Sequence, residues 1–404
     1  MSELLWAPDG RQLIFNLHGA LYRVLPGNPP ERLGSKSTAT DTAASPGANA
    51  IAYLSGSDLW VVRFGGGTPV AIRVYAPGRN DVGVESFSWS RDGKRIAIIE
   101  ADTSRVAVRR IPDYLVDETR LVPIKRAFPG EASAARRLGI VPVDGGAPTW
   151  VELGTDPLDE ISSISWSPDS GTLLVDKSDL YIKVRRLLVV EANSGHTHLL
   201  REERDPGNVT AEWWSDWASN GRGVFFVSDR DNDYHVYFEP LSGGEPMRIT
   251  TGDFADFSAT VSPAAKSLFV VKNAGKPEER QAYRVPLQGG ATERLTLAAG
   301  THGTAVSPEG RFIADIFSDD VTPPDLYLLT VHGRPQPTAA RRVTHSPLPE
   351  FARFHWVAAK YVEFPNDADG TVLHARLTLP PDFDPTRKYP AILGSVYSNT
   401  VHNQ

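Results

Sequence analysis

The chain has 404 residues, which is enough for two or three average domains or for one large all-β architecture. Its 42 basic and 49 acidic residues give a formal net charge of −7, which argues against a nucleic-acid partner. The sequence contains no cysteine, which excludes disulfides and Cys-based metal sites. It also lacks an apolar run long enough to span a membrane, so no membrane partner is predicted.

A turn motif recurs along the chain, and a Val/Ile/Phe-rich segment follows each copy. The copies are WAPDGRQLIF at Trp6, ASPGANAIAYL at Ala44, WSRDGKRIAII at Trp89, WSPDSGTLLV at Trp166, WASNGRGVFFV at Trp217, VSPAAKSLFVV at Val261 and VSPEGRFIADI at Val306. Proline sets φ at the first turn position and glycine supplies a positive φ, so each copy predicts a β-hairpin. Two further strand patterns usually follow, and four strands roughly every 40 to 50 residues are typical of propeller blades. The sequence therefore predicts an all-β propeller with seven visible four-stranded blades, from a parent of seven or eight.

One interval between motifs is longer than the others. The extra residues, about 103–137, are rich in charge and fall between the second strand of a blade and a third strand at LGIVPVD. We expect this insertion to project from the blade as an arm. It is either a solvated loop or a contact surface.

Local signatures for catalysis or metal binding are weak. No G-x-S-x-G nucleophile elbow occurs in the sequence. His196 and His198 lack an indicated third ligand, and DRDND at Asp229 lacks the glycine and final acid of a calcium loop. We predict no metal and no cofactor. The loop at Arg79 and Asp81, which precedes Trp89, is expected near one mouth of the propeller, as a substrate contact or as a turn that closes a blade.

The repeats, together with the segment DGTVLHARLTLPPDFDPTRKYPAILGSVY near the end of the chain, resemble the prolyl oligopeptidase family of serine peptidases, and most closely its dipeptidyl peptidase IV branch. The resemblance implies a propeller at 1–357, followed at 358–404 by the first strands of an α/β-hydrolase domain. It also implies that the propeller filters peptides that reach a Ser–Asp–His triad, and that the arm contributes to homodimer contacts.

The resemblance also assigns individual residues. Tyr397 is similar in position to the family tyrosine that donates its hydroxyl group to the oxyanion of the tetrahedral intermediate. The branch binds the amino group of its substrate with a Glu-Glu pair. Gly78 and Arg79 occupy that place here, and Asp81 and Glu85 are the nearest acids. Arg79, Asp81 and Glu85 are therefore the candidate substrate-binding residues, and an arginine there favours carboxylate groups.

We expect the chain to be the substrate-gating part of a serine-type exopeptidase or oligopeptidase in the cytoplasm or periplasm. Its partners would be a peptide substrate and its own missing hydrolase domain. The catalytic triad is expected beyond Gln404, so the chain alone is predicted to be inactive. The alternative is a TolB-like propeller that serves as a protein-binding module without catalysis.

Overall fold

The computed structural model describes residues 11–33, 39–63, 69–154, 159–209, 214–231, 233–252, 258–262, 264, 266–273, 275–307, 309–331 and 340–394, and the backbone of Ser2–Trp6. In this part of the chain the strands form seven four-stranded antiparallel sheets and two two-stranded sheets. They divide between two compact units, Met1–Val209 and Thr210–Gln404. Within the described ranges, no helix is long and apolar enough to cross a membrane.

The first unit contains four of the four-stranded sheets, named blades 1 to 4 in chain order. Blade 1 contains β1 (Ser2–Trp6), β2 (Leu13–Leu17), β3 (Ala20–Val24) and β4 (Glu31–Leu33). Blade 2 contains β5 (Thr40–Ala44), β6 (Ala50–Ser55), β7 (Asp58–Arg63) and β8 (Val70–Tyr75). Blade 3 contains β9 (Val82–Trp89) and β10 (Arg95–Asp102) and, after a separate hairpin of β11 (Val108–Asp113) and β12 (Arg120–Lys125), β13 (Ala135–Pro142) and β14 (Thr149–Trp150). Blade 4 contains β15 (Glu160–Trp166), β16 (Thr172–Ser178), β17 (Val184–Glu191) and β18 (Thr197–Arg204).

The second unit contains blades 5 to 7 and a final hairpin. Blade 5 contains β19 (Ser215–Trp217), β20 (Gly223–Ser228), β21 (His235–Pro240) and β22 (Met247–Arg248). Blade 6 contains β23 (Ser258–Ser262), β24 (Ser267–Lys272), β25 (Gln281–Pro286) and β26 (Glu293–Arg294). Blade 7 contains β27 (Thr301–Val306), β28 (Phe312–Ser318), β29 (Asp325–Thr330) and β30 (Arg341–Arg342). A 3₁₀-helix (Pro349–Arg353) and the two-stranded sheet of β31 (Lys360–Pro365) and β32 (Val372–Leu377) follow.

The hydrophobic core lies between neighbouring blades. The second strand of several blades is buried along nearly its whole length, as in β6, β16, β20 and β24. A strand covered on both faces needs a continuous apolar run, which is why the segments that form β6, β20 and β24 do not alternate with polar residues. Ile51 packs with Ile14 between blades 1 and 2, and Val175 packs with Ile99 between blades 3 and 4. The seven four-stranded sheets confirm the predicted all-β propeller with seven blades.

The tryptophan of the turn motif joins one blade to the blade before it. The indole Nε1 of Trp166 donates a hydrogen bond to the Ser88 carbonyl oxygen in β9 (3.2 Å). Likewise, Trp89 Nε1 donates to the Ala43 carbonyl oxygen in β5 (3.1 Å). Both indoles are buried, so the ring fills the space between the two sheets while its single donor is satisfied.

The turn of the motif is stabilised by its own polar side chains. In blade 3, Ser90 Oγ donates to Asp92 Oδ1 (2.6 Å) and accepts the amide N–H of Arg95 (2.9 Å). In blade 4, Ser167 Oγ bonds Asp169 and the Thr172 amide N–H in the same way. Serine and aspartate thus satisfy backbone and side-chain groups that the tight turn leaves without sheet partners.

Blade 4 encloses a buried ion pair. Arg185 Nε and Nη2 donate to the two carboxylate oxygens of Asp176 (3.0 and 2.6 Å), and both side chains are fully buried. Glu203 lies 3.4 Å from Arg185 Nη1. The bidentate geometry compensates for the loss of water around both charges, but removing one partner would leave the other charge buried and incompletely compensated.

The Asp176→Asn variant is expected to lower the free energy of unfolding by about 3 to 5 kcal/mol, because it leaves the Arg185 charge in the blade without its main counter-ion. Urea denaturation followed by tryptophan fluorescence measures this change. Asp117→Asn, at an exposed residue between β11 and β12, is the matched control and should not change stability. Equal unfolding midpoints for the two variants would contradict the expectation.

Candidate functional site

The arm leaves blade 3 and returns to it at directly opposed residues. Asp102, at the end of β10, is the Cα partner of Ala135, at the start of β13. The residues between them carry the hairpin of β11 and β12, which pairs only with itself among the described strands. Three residues that the sequence assigned to the end of the arm therefore belong to the blade. There, Arg137 donates to Glu100 (2.6 Å) and lies over the Trp150 ring.

The candidate residues Asp81 and Glu85 lie where β9 begins, and Glu85 occupies a β-bulge. The pairing of β9 with β10 shifts from Ser86 opposite Ile99 to Val84 opposite Glu100, which leaves Glu85 as the additional residue. A bulge turns a side chain away from the regular alternation of the strand, and bulges are frequent beside functional sites. Sequence periodicity gave no sign of this bulge.

A cavity of about 530 Å³ lies between the start of β9 and the arm. Asp81 and Glu85 line it, together with Lys125 and Arg136, which the sequence analysis did not select. Glu160, the first residue of β15, lines the same cavity. A smaller cavity of about 230 Å³ also contacts Glu85, Arg136 and Glu160.

Lys125 ties the arm to the loop that precedes β9. Its Nζ donates to Asp81 Oδ1 (2.6 Å), to the Thr103 carbonyl oxygen (2.8 Å) and to Thr103 Oγ1 (3.1 Å). The Thr103 amide N–H in turn donates to the Asp81 carbonyl oxygen (2.8 Å). An ammonium group has three N–H donors, so Lys125 is fully engaged and neutralises Asp81.

Arg136 neutralises Glu85 in a bidentate ion pair. Its Nε and Nη2 donate to the two carboxylate oxygens of Glu85 (2.6 and 2.9 Å). These hydrogen bonds raise the pKa of Arg136, partial burial opposes the change, and the nearby charge of Glu160 adds to it. Arg136 therefore carries a positive charge that Glu85 compensates directly and that Glu160 stabilises from further away.

Two charged residues of the lining have no ion-pair partner within 4.0 Å among the described residues. These are Arg126, which directly follows β12, and Glu160. Beside two directly bonded ion pairs, the cavity is thus lined by one cation and one anion that make no direct ion pair with the described residues. No local motif marks either residue, but Glu85 and Glu160 both lie a few positions before the tryptophan that ends their strands.

Arg79, the third candidate, lies outside the lining of this cavity. Its side chain is 68% exposed and donates to Asp102 Oδ2 (2.6 Å). Hydrogen bonds from Ser104, together with the nearby charge of Arg79, lower the pKa of Asp102 to about 2. Arg79 is therefore available to solvent but already faces a carboxylate of its own blade. Tyr397, the predicted oxyanion donor, lies outside the described residues.

Comparison with known proteins identifies the family. A family model described as the dipeptidyl peptidase IV (DPP IV) N-terminal region matches residues 13–324. The chain belongs to this family. Among curated proteins, the chain is 23% identical over 413 residues to a probable dipeptidyl-aminopeptidase B of Emericella nidulans, covering 88% of this chain and 44% of that protein. It is 24% identical over 324 residues to dipeptidyl-peptidase 5 of Porphyromonas gingivalis, covering 79% and 35%.

The fold of the chain also matches a solved structure. The crystal structure of Porphyromonas gingivalis dipeptidyl peptidase 4 superimposes with a TM-score of 0.80 at 19% identity, covering 96% of this chain and 58% of that one. At this identity the match establishes the fold. The chain spans less than half the length of the curated relatives named above.

Acidification is expected to weaken the Arg79–Asp102 pair only at very low pH. The folded-state pKa of Asp102, about 2, lies below its ordinary 3.8. The carboxylate therefore stabilises the folded state above pH 3.8, and this contribution is lost as the pH falls through about 2. Between pH 4 and pH 2, the free energy of unfolding should decrease less in the Asp102→Asn variant than in the unmodified chain. Urea unfolding midpoints at each pH measure this difference. Parallel pH profiles for the two proteins would contradict this.

Proposed function

We propose that this chain is the substrate-selecting propeller part of a serine-type peptidase that acts on peptides. Residues 1–357 would form the propeller, with the arm inserted in blade 3, and residues 358–404 would begin the α/β-hydrolase domain. Membership of the DPP IV N-terminal region family is the observation that carries this proposal. The names of the relatives, a probable dipeptidyl-aminopeptidase B and a dipeptidyl-peptidase 5, support it. Tyr397 would donate to the oxyanion, and an α/β-hydrolase domain would be the partner that supplies the triad.

The peptide would enter the cavity between β9 and the arm. Asp81 and Glu85 line this cavity, but Lys125 and Arg136 neutralise them, so they would act mainly by holding these two cations in place. Glu160 would then receive a positively charged amino terminus, and Arg126 a carboxylate of the peptide. Arg79 would be a contact at the rim. A volume of about 530 Å³ lies within the range of small-molecule sites and suits a short peptide.

Isothermal titration of the 404-residue chain with trialanine and with N-acetylated trialanine tests this assignment. We expect the free peptide to bind more tightly, because acetylation removes the ammonium group that would face Glu160. Glu160→Gln should weaken binding of the free peptide about tenfold or more and leave binding of the acetylated peptide unchanged. The peptide should be recovered intact, since the sequence contains no nucleophile elbow.

Glu118→Gln is the matched control, because Glu118 is exposed on the arm and does not line the cavity. Equal affinity for the two peptides, or equal effects of the two glutamine variants, would refute the assignment of Glu160.

We also propose that a second copy of the chain contacts the tip of the arm. Tyr114 and Leu115, between β11 and β12, are 76% and 98% exposed. Leu121, which pairs with Pro112 close to this turn, is also largely exposed. Neighbouring apolar side chains on a projecting hairpin are typical of a protein interface.

The double substitution Tyr114→Ser and Leu115→Ser should convert a dimer to a monomer in sedimentation equilibrium, because it removes the most exposed apolar area of the arm. Leu348→Ser, at an exposed leucine before the 3₁₀-helix, should leave the mass unchanged. A monomeric unmodified chain, or a double variant that stays dimeric, would contradict the role of the arm.

A further inference from the structure

The hairpin of β31 and β32 has little apolar packing to hold it in place. None of the residues in its two strands is buried. Phe364 and Val372 are 47% and 54% exposed. An isolated two-stranded hairpin is marginally stable in water, so another interaction must support this one.

One carboxylate of blade 7 receives hydrogen bonds from three groups in and beside this hairpin. Asp320 lies in the loop between β28 and β29, and its side chain is only 5% exposed. The Ala359 amide N–H donates to Oδ2 (3.0 Å), and the Tyr361 hydroxyl group lies 2.9 and 3.0 Å from the two oxygens. The Arg376 guanidinium group donates to Oδ1 (2.6 Å).

The strand register explains why these donors converge. Tyr361 in β31 is the Cα partner of Arg376 in β32. Directly opposed residues of an antiparallel pair project to the same face, so the two side chains reach the same carboxylate together. Burial and the hydrogen bond to Asp320 raise the pKa of Tyr361, so its hydroxyl group keeps its proton. Bonds to an ionised carboxylate are stronger than bonds between neutral groups.

A cavity lies between the hairpin and the loop of blade 6 that precedes β25. A space of about 310 Å³ is lined by Glu278 from the loop before β25, and by Tyr361, Glu363 and His374 of the hairpin. Here the hairpin meets blade 6 across an open, polar space. The hydrogen bonds to Asp320 attach the hairpin directly to blade 7.

We propose that Asp320 is a positioning residue that anchors the β31–β32 hairpin to blade 7. The anchor is electrostatic and local, and blade 7 has its own sheet and its own contacts with blade 6. Removing the charge should free the hairpin without unfolding the blade. A further consequence rests on the proposed function: Asp320 would then set the direction in which the chain leaves the propeller for the hydrolase domain.

Hydrogen–deuterium exchange of the 404-residue chain tests the anchor. Asp320→Asn should speed amide exchange in 360–365 and 372–377 by about 10- to 100-fold, because bonds to a charged group are lost. Exchange in β28 should stay as in the unmodified chain. Asp367→Asn, at an exposed acid in the turn of the same hairpin, is the matched control and should change neither region.

Arg376→Gln provides a second test on the exposed side of the contact. It should speed exchange in the hairpin less than Asp320→Asn does, and adding it to Asp320→Asn should have little further effect, because the two residues share one interaction. Unchanged exchange in the hairpin, or faster exchange throughout blades 6 and 7, would overturn the proposal. A positive result would stand even if the chain bound no peptide, so the anchor and the proposed function can fail separately.

Discussion

The hydrogen bond from the indole of one blade to the first strand of the preceding blade is the constraint on which the candidate site depends. Trp166 holds the end of β15 against the carbonyl oxygen of Ser88 in β9. These two strands carry Glu160 and Glu85, so the bond fixes the spacing between the acids of neighbouring blades. Trp89 repeats the link to blade 2. In blades 3 and 4, the tryptophan that marks the repeat in the sequence is therefore also the residue that brings neighbouring blades into register.

The electrostatics of the cavity follow from this framework. The propeller strands supply the acids, and the insertion together with the strand that follows it supplies the cations Lys125, Arg126 and Arg136. Most of these charges are neutralised within the protein, because a cavity lined by uncompensated like charges would be destabilised by repulsion. Selectivity for ligands can then come from Arg126 and Glu160, which make no direct ion pair with other described residues. Altering the Asp81–Lys125 or Glu85–Arg136 pair would change the shape of the cavity as well as its charge.

The sequence predicted the blades well because each contains the same turn chemistry followed by an apolar strand. The distance between motifs changes at the insertion, and the separate hairpin of β11 and β12 lies in that interval. The sequence did not predict the ion pair of Asp81 with Lys125 or the bulge at Glu85. Ion pairs between distant positions leave no periodic signal, and one additional residue within a strand does not disturb its composition. The anchor at Asp320 was missed for the same reason, because its partners follow it by about forty residues or more.

The opposed positions of Asp102 and Ala135 have an evolutionary implication. Since β10 and β13 pair directly at the point where the arm departs, the ladder of blade 3 is complete without the arm. An arm inserted in this way can be lengthened, shortened or exchanged between homologues with little effect on the stability of the blade that carries it. The arm also supplies Lys125 and Arg126 to the cavity. A change in the length or sequence of the arm would therefore alter which charged ligands the cavity favours while the blades stayed the same.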